Sequence, residues 1–322
     1  MIGFILPLLF ACTAFIGPMI GESLGAPWAF LTLIVALVIV PLVDLFLPRA
    51  KSSPVTGPDW LFDGILVAYV GLHLMMIGWG SFKTSSLSLS DPFWWGITLS
   101  VGLVSGAIGV TFAHELIHRT ERFMRGLAEV ILVTVSFGHF AVAHVYGHHR
   151  NVGTPLDPAT AKRGQSLYAF FAQALPGVFL SALRLKRKRT LVYSALTLLI
   201  AVAIFLSLGF QALLFFVLQS LVAILLTETT DYMEHYGLER KLLSNGRYEP
   251  VATHHSWDSQ AFLTGKLLIN LQRHSDHHMH ASKKYQELEL PPNHHRLPTG
   301  YAGCLLVAFV PPLWRRMMDH RI

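Results

Sequence analysis

Residues 94–119 read WWGITLSVGLVSGAIGVTFAHELIHR, an uncharged run from Trp94 to Ala113 that ends on two histidines four positions apart, His114 and His118. About 20 apolar residues are what a helix needs to cross the roughly 30 Å hydrocarbon layer of a bilayer. With Glu115 between them, the histidines fit HExxH, which on a helix sets two zinc ligands on one face beside a glutamate base. They also fit HxxxH, one box of a larger histidine cage. The histidines elsewhere in the chain decide between the two.

Composition favours a membrane protein. Of 322 residues, 52% are hydrophobic and 14% charged, with mean hydropathy +0.48, well away from soluble globular averages. Besides 94–113, apolar spans are expected at about 2–20, 27–47, 61–80, 191–208 and 210–226, the last two separated by a turn around Gly209 in LSLGFQ. Met1 is followed by no basic segment and the second span follows closely, so the first is expected to be a retained helix and not a signal peptide. Segments 48–60, 114–190 and the region after Leu226 hold 24 of the 25 Lys and Arg residues, leaving Lys83 in the opposite loop. The positive-inside rule then places the N-terminus and both polar segments, 114–190 and 227–322, on the cytoplasmic side. The basic cluster RLKRKR (Arg184–Arg189) fits this topology and anionic headgroups, and the basic face as a whole suits an acidic soluble partner; no nucleic acid is expected.

The two cysteines, Cys12 and Cys304, lie far apart in apolar surroundings, so the chain carries no CxxC pair and no disulfide framework. Histidine is the unusual residue: of 17, only His73 precedes His114. Four groups stand out: His114 and His118; His144, His148 and His149 in HVYGHH; His235 in DYMEHYGL; and His274, His277 and His278 in LQRHSDHH. Helical i, i+3 and i, i+4 neighbours share a face about 5–6 Å apart, so each group is expected to offer its imidazoles to one point at the cytoplasmic rim. A zinc protease uses three protein ligands and a water, which leaves six of these nine histidines without a purpose. Two metal ions use them all. Imidazole suits iron, zinc, copper and nickel alike, but an all-nitrogen cage in an apolar bundle favours a redox metal, and iron with oxygen is the first choice. His73, His139, His294, His295 and His320 read as ordinary core or surface residues, while His254, His255 and His280 stay undecided. Glu115, Glu234, Asp276, Asp157 and Asp231 are placed to accept the outer N–H of ligating imidazoles, or else to cap helices and pair with Arg150 or Arg273.

Together these segments resemble the membrane-bound alkane hydroxylases, integral-membrane di-iron monooxygenases related to fatty-acid desaturases. HELIHR, HVYGHH, DYMEHYGL and LQRHSDHH are similar to that family's ordered histidine motifs, and the likeness extends over about residues 94–319 through TPLDPATAKRG, HHSWDS, KKYQEL and the C-terminal LPTGYAGCLLVAFVPPLWRRMMD. Ala143, Arg119 and Asp231 depart from the family's usual glutamate, lysine and asparagine, which bears on substrate range more than on reaction type. The resemblance implies an all-α integral membrane protein with six transmembrane helices and a cytoplasmic-side histidine-rich di-metal cap, as a single membrane domain over 1–322. It implies two non-haem irons on His114, His118, His144, His148, His149, His235, His274, His277 and His278. It further implies hydroxylation of alkane or alkyl methyl groups in a bacterial inner membrane. Electrons are expected from a separate rubredoxin-type or ferredoxin-type donor served by an NAD(P)H-dependent reductase, in keeping with the missing CxxC. Rivals are a hydroxylase of aromatic methyl groups or terpenes, a lipid desaturase, and, from another class, a metal transporter or intramembrane zinc protease.

Overall fold

The computed structural model describes residues 2–50, 53–292 and 294–322. Among the described residues six helices are long and apolar enough to cross a membrane: α1 (Gly3–Leu24), α2 (Ala26–Phe46), α3 (Asp59–Ser85), α4 (Pro92–Ile117), and, after two shorter helices, α7 (Leu167–Leu208) and α8 (Phe210–His235). The shorter pair is α5 (Arg122–Thr134) and α6 (140–151), the second built around a π-helical turn over His144–His148.

α4 is the axis of the bundle. Its apolar window is 89% buried, against 17% for α2 and 6% for α7, whose apolar side chains face outward. Small residues make that central place possible, because in a membrane they let helices approach backbone to backbone. A Cβ on Gly96 would stand 2.5 Å from the Ala29 Cβ of α2, and one on Gly106 2.8 Å from the Ala223 Cα of α8. α4 also carries a π-helical turn over Ser105–Val110, one turn before His114; such turns recur at functional sites. His73 on α3 is a buried core residue whose Nε2 lies 3.0 Å from the Thr134 hydroxyl, as its ordinary reading requires.

Two helices run further than hydropathy alone indicates. α7 begins at Leu167, well before the expected 191, and buries Leu167, Phe170, Ala174, Val178 and Ala182 at helical spacing before its backbone breaks at Lys186 (φ −145°, ψ 65°) inside RLKRKR. Gly209 then ends it at φ 83°, in the turn expected there. α8 continues past 226 to His235, carrying Glu228, Asp231 and Glu234 along a buried face. Apolarity marks the membrane-crossing part of a helix, whereas its hydrogen-bonded ladder continues wherever polar side chains find partners.

The remaining chain folds over one end of the bundle. It contains a two-residue parallel pairing of β1 (Trp257–Asp258) with β2 (His295–Arg296), in register Trp257 with His295 and Asp258 with Arg296. Around it lie α9 (Phe262–Leu267), α10 (His274–Met279), α11 (Tyr301–Ala308) and α12 (Pro311–Met318). The apolar stretch 302–313 packs against the end of the bundle through Cys304 and Ala308. Trp314 meets Tyr232 and Tyr236 at the end of α8, with ring centroids 5.4 and 5.5 Å away, and Cys304 is buried beside them.

Candidate metal centre

All nine clustered histidines converge beneath this cap, in two groups. His114, His118, His144, His149 and His277 form one, His148, His235, His274 and His278 the other, and within each group one nitrogen per ring lies within 4.8 Å of all the rest. The expectation that each sequence cluster serves one point is corrected here: His144 and His149 go to one group and His148 to the other. The π-turn is the cause. His149 N–H bonds back to the His144 carbonyl, five residues away, so the helix is locally wider and residues five apart come into phase. On α10 ordinary helical spacing does the sorting: His274 and His278, four apart, go to the second group and His277 to the first.

The donor set fits metal ions. His144 Nε2 lies 2.9 Å from His149 Nε2, which is 3.1 Å from His277 Nε2; in the other group His274 Nε2 is 3.1 Å from His235 Nε2 and 2.9 Å from His278 Nε2. The buried Nε2 atoms of His114, His118 and His148 have no hydrogen-bond partner. Unsatisfied buried nitrogens are costly, and so many lone pairs aimed at two points are satisfied by two cations. Burial and neighbouring imidazoles hold His144, His149, His274, His277 and His278 well below the ordinary histidine pKa, and His118 at about 4. They are neutral near pH 7, the form that binds metal.

Outer partners differ between the groups. Asp157 Oδ2 accepts from His148 Nδ1 at 2.8 Å and from the Thr160 hydroxyl at 2.7 Å. Burial opposes protonation of His148, yet the Asp157 carboxylate outweighs it and raises the pKa above the usual value. His235 Nδ1 donates to the His255 carbonyl at 3.2 Å. Glu234 Oε2 reaches the inner nitrogen of His274 at 3.2 Å while its Oε1 accepts from Tyr301 at 2.7 Å, and Asp231 lies close to both Glu234 and His235.

Two expected carboxylate partners turn away from the cage. Glu115 pairs with Arg119 at 2.9 Å, and Arg119 also holds Asp63 at 3.2 Å; a buried guanidinium captures the carboxylate more strongly than an imidazole could. The HExxH reading therefore loses its base. Asp276 pairs with His280 and Lys283 and accepts the Glu289 N–H, bracing the loop after α10. His254 and His255 group with Glu249, where His255 Nδ1 accepts the Ala252 N–H and its Nε2 faces Glu249. His139 packs edge-on against Phe137 and Phe179.

Other features escaped the sequence reading. Asp258, at the end of β1, accepts from Ser275 N at 2.8 Å and from its hydroxyl, fixing the start of α10. Burial pushes the Asp258 carboxyl up to about 7. Glu228, with an unpartnered buried Oε2, stands one turn before Asp231; an acid every third residue in an otherwise apolar helix was the available signal. An apolar cavity of about 110 Å³ lies between α1, α2, α4 and α8, lined by Phe10, Leu37, Leu103, Ile108 and Leu226, and it ends on His114, His144, His274 and Glu234. No sequence signal separates these apolar residues from lipid-facing ones.

Residues 92–305 match the family model described as fatty acid desaturase. The chain belongs to that family of membrane proteins. Over 94% of its length it is 36% identical to Alkane 1-monooxygenase 2 of Pseudomonas aeruginosa, covering 86% of that protein. It is 34% identical to Alkane 1-monooxygenase 1 of Alcanivorax borkumensis over 99% of its length and 84% of the relative. The Xylene/toluene monooxygenase hydroxylase component XylM of Pseudomonas putida is 28% identical over 97% of the chain and 85% of XylM. Within the desaturase family the chain thus stands with the alkane 1-monooxygenases, as a multi-pass membrane protein with a di-metal site.

Proposed function

We propose that this protein is an O2-dependent monooxygenase of the bacterial cytoplasmic membrane that converts terminal methyl groups of alkanes or alkyl chains to primary alcohols. The observation that carries the reading is the apolar cavity whose lining includes histidines of both groups, His114 and His144 of one and His274 of the other. In it the nine histidines hold two irons, His114, His118, His144, His149 and His277 one of them and His148, His235, His274 and His278 the other. Bound iron supplies O2 reduction and removal of hydrogen from an unactivated C–H bond, with one oxygen atom ending in the alcohol and the other, with two electrons and two protons, in water.

The chain's own part is orientation and exclusion. Leu37, Leu103 and Ile108 give a hydrocarbon no polar anchor, so the depth of the cavity sets which carbon meets the cage. Asp157 and the His255 carbonyl hold His148 and His235 in the tautomer whose Nε2 faces inward. Glu234, held by Tyr301, places a proton-exchanging oxygen, Oε2, where the cavity meets the four-histidine group. Electrons come from a separate rubredoxin-type donor docking on the basic, cytoplasmic cap, served by an NAD(P)H-dependent reductase.

The test is metal analysis of the purified protein together with octane turnover under 18O2, with a supplied rubredoxin and reductase. About two irons per chain and 18O in 1-octanol are expected. Zinc in place of iron with no oxygen-dependent product overturns the proposal. Similarity to XylM supports a second reading, in which the methyl group belongs to an alkylbenzene; turnover of toluene against octane separates the two.

A further inference from the structure

A second hollow, of about 620 Å³, lies at the capped end of the bundle and is quite unlike the apolar cavity. Leu45 and Arg49 at the end of α2, Gln260 before α9, Arg296 on β2, Gly303 on α11 and Arg321 near the C-terminus line it. Its frame is fixed by backbone bonds. Ala50 N–H donates to the Gln260 carbonyl at 2.8 Å, Leu297 N–H to the Asp258 carbonyl at 2.8 Å, and the Asp44 carboxylate accepts from Leu263 N at 2.7 Å and Thr264 N at 3.1 Å. Among the described residues of the lining Asp44 is the only acid, and it is already engaged.

The three guanidinium groups have no such counter-charge. Arg296 Nε donates to His294 Nε2 at 3.1 Å and Arg321 Nε to the Met317 carbonyl at 3.0 Å, both neutral acceptors. Among the described residues no carboxylate lies within 4.0 Å of Arg49, Arg296 or Arg321. The hollow also sits where the apolar span ends. On α2, Leu42, Leu45 and Phe46 are 51, 63 and 86% exposed, directly before Arg49.

We propose that this hollow seats the phosphate of an anionic phospholipid, with an acyl chain lying along Leu42, Leu45 and Phe46. Guanidinium forks match phosphate oxygens in pairs, and basic pockets at helix ends take acidic headgroups. The consequence reaches the apolar cavity, because the same two helices wall both spaces. Leu37 and Val40 of α2 and Ala302 and Leu305 of α11 line the cavity, and Pro41, Leu45 and Gly303 line the hollow. A bound lipid braces the seam that closes the cavity. The proposal needs only α2 in a membrane, so it stands or falls separately from the oxygenase reading.

The test is mass spectrometry of lipid retained by protein purified in neutral detergent, followed by melting curves of the delipidated protein with added lipid. Retained phosphatidylglycerol or cardiolipin is expected, and phosphatidylglycerol vesicles raise Tm where phosphatidylcholine vesicles do not. Replacing each of Arg49, Arg296 and Arg321 by Gln weakens retention about fivefold, with iron content and gel-filtration profile unchanged. Should the triple variant not fold, the single variants carry the test. Unchanged anionic lipid in folded variants overturns the proposal. So does an equal Tm rise with inorganic phosphate, which makes the occupant a free anion. A change confined to the donor concentration for half-maximal rate also overturns it, by assigning the hollow to a protein partner.

Discussion

The five-histidine and four-histidine groups use the same ligand type yet are embedded differently. Among the described residues no carboxylate lies within 4.0 Å of an imidazole of the five, whereas the four meet Asp157 and Glu234 directly and Asp231 close by. A metal bound by the first group would meet only neutral donors, whereas one bound by the second would lie one imidazole away from the Asp157 carboxylate. Because outer carboxylates tune a ligating imidazole and its metal, the two groups offer a bound ion unequal surroundings.

The largest effect is expected from removing a ligand. His118→Ala and His274→Ala should each cut hydroxylation by more than about 100-fold, the upper range for outer partners, and each should lose metal from its own group first. Metal counts with spectroscopy of the remaining ion check this; equal loss from both groups in both variants breaks the comparison. Next comes Asp157→Asn, expected to lower activity or metal affinity about 10- to 100-fold, while Asp276→Asn, which touches only His280, Lys283 and the Glu289 amide, should leave metal content unchanged. If both behave alike, the carboxylates around the second group have no special role.

Glu115→Gln sharpens the contrast from the other side. It leaves Arg119 buried with one fewer anion, and breaking such a pair costs about 3–5 kcal/mol. A lowered Tm with metal content retained is expected; metal loss without a change in Tm would return Glu115 to the metal site. The smallest effect belongs to His139, outside both groups, whose pKa burial depresses to about 4. A depressed histidine stabilises the fold in its neutral form, so that contribution is present above about 6.5 and lost as pH falls toward 4. His139→Phe, which keeps the contacts with Phe137 and Phe179, should flatten the fall of Tm over that window by on the order of 1–3 kcal/mol of stability. An unchanged slope assigns the acid sensitivity elsewhere.

What was legible in the sequence follows from what leaves a local trace. Apolar runs mark the six spans because a bilayer demands length, and His114, His118, His235 and His274 show themselves as costly polar residues at helix ends. The parting of His148 and His149 follows from the π-turn over His144–His148, for which the weak helix former Gly147 in HVYGH is at most a faint local signal. Glu115 and Asp276 were misjudged for a similar reason. Proximity in sequence placed them beside imidazoles, but Arg119, one helical turn after Glu115, and Lys283, seven residues after Asp276, are nearby cations and stronger partners. The cavity is invisible locally, since Leu103 inside it and Leu206 facing lipid are the same residue type.

The shared histidine helices also have a mechanical consequence. α6 and α10 each supply ligands to both groups, whereas α4 serves only the five and α8 only the four. Each site is thus pinned on one side to the rigid cap and on the other to a different transmembrane helix. The close approach of α4 and α8 at Gly106 and Ala223 therefore also sets how far apart the two groups stand, so a side chain added at Gly106 would be felt at both groups through packing alone.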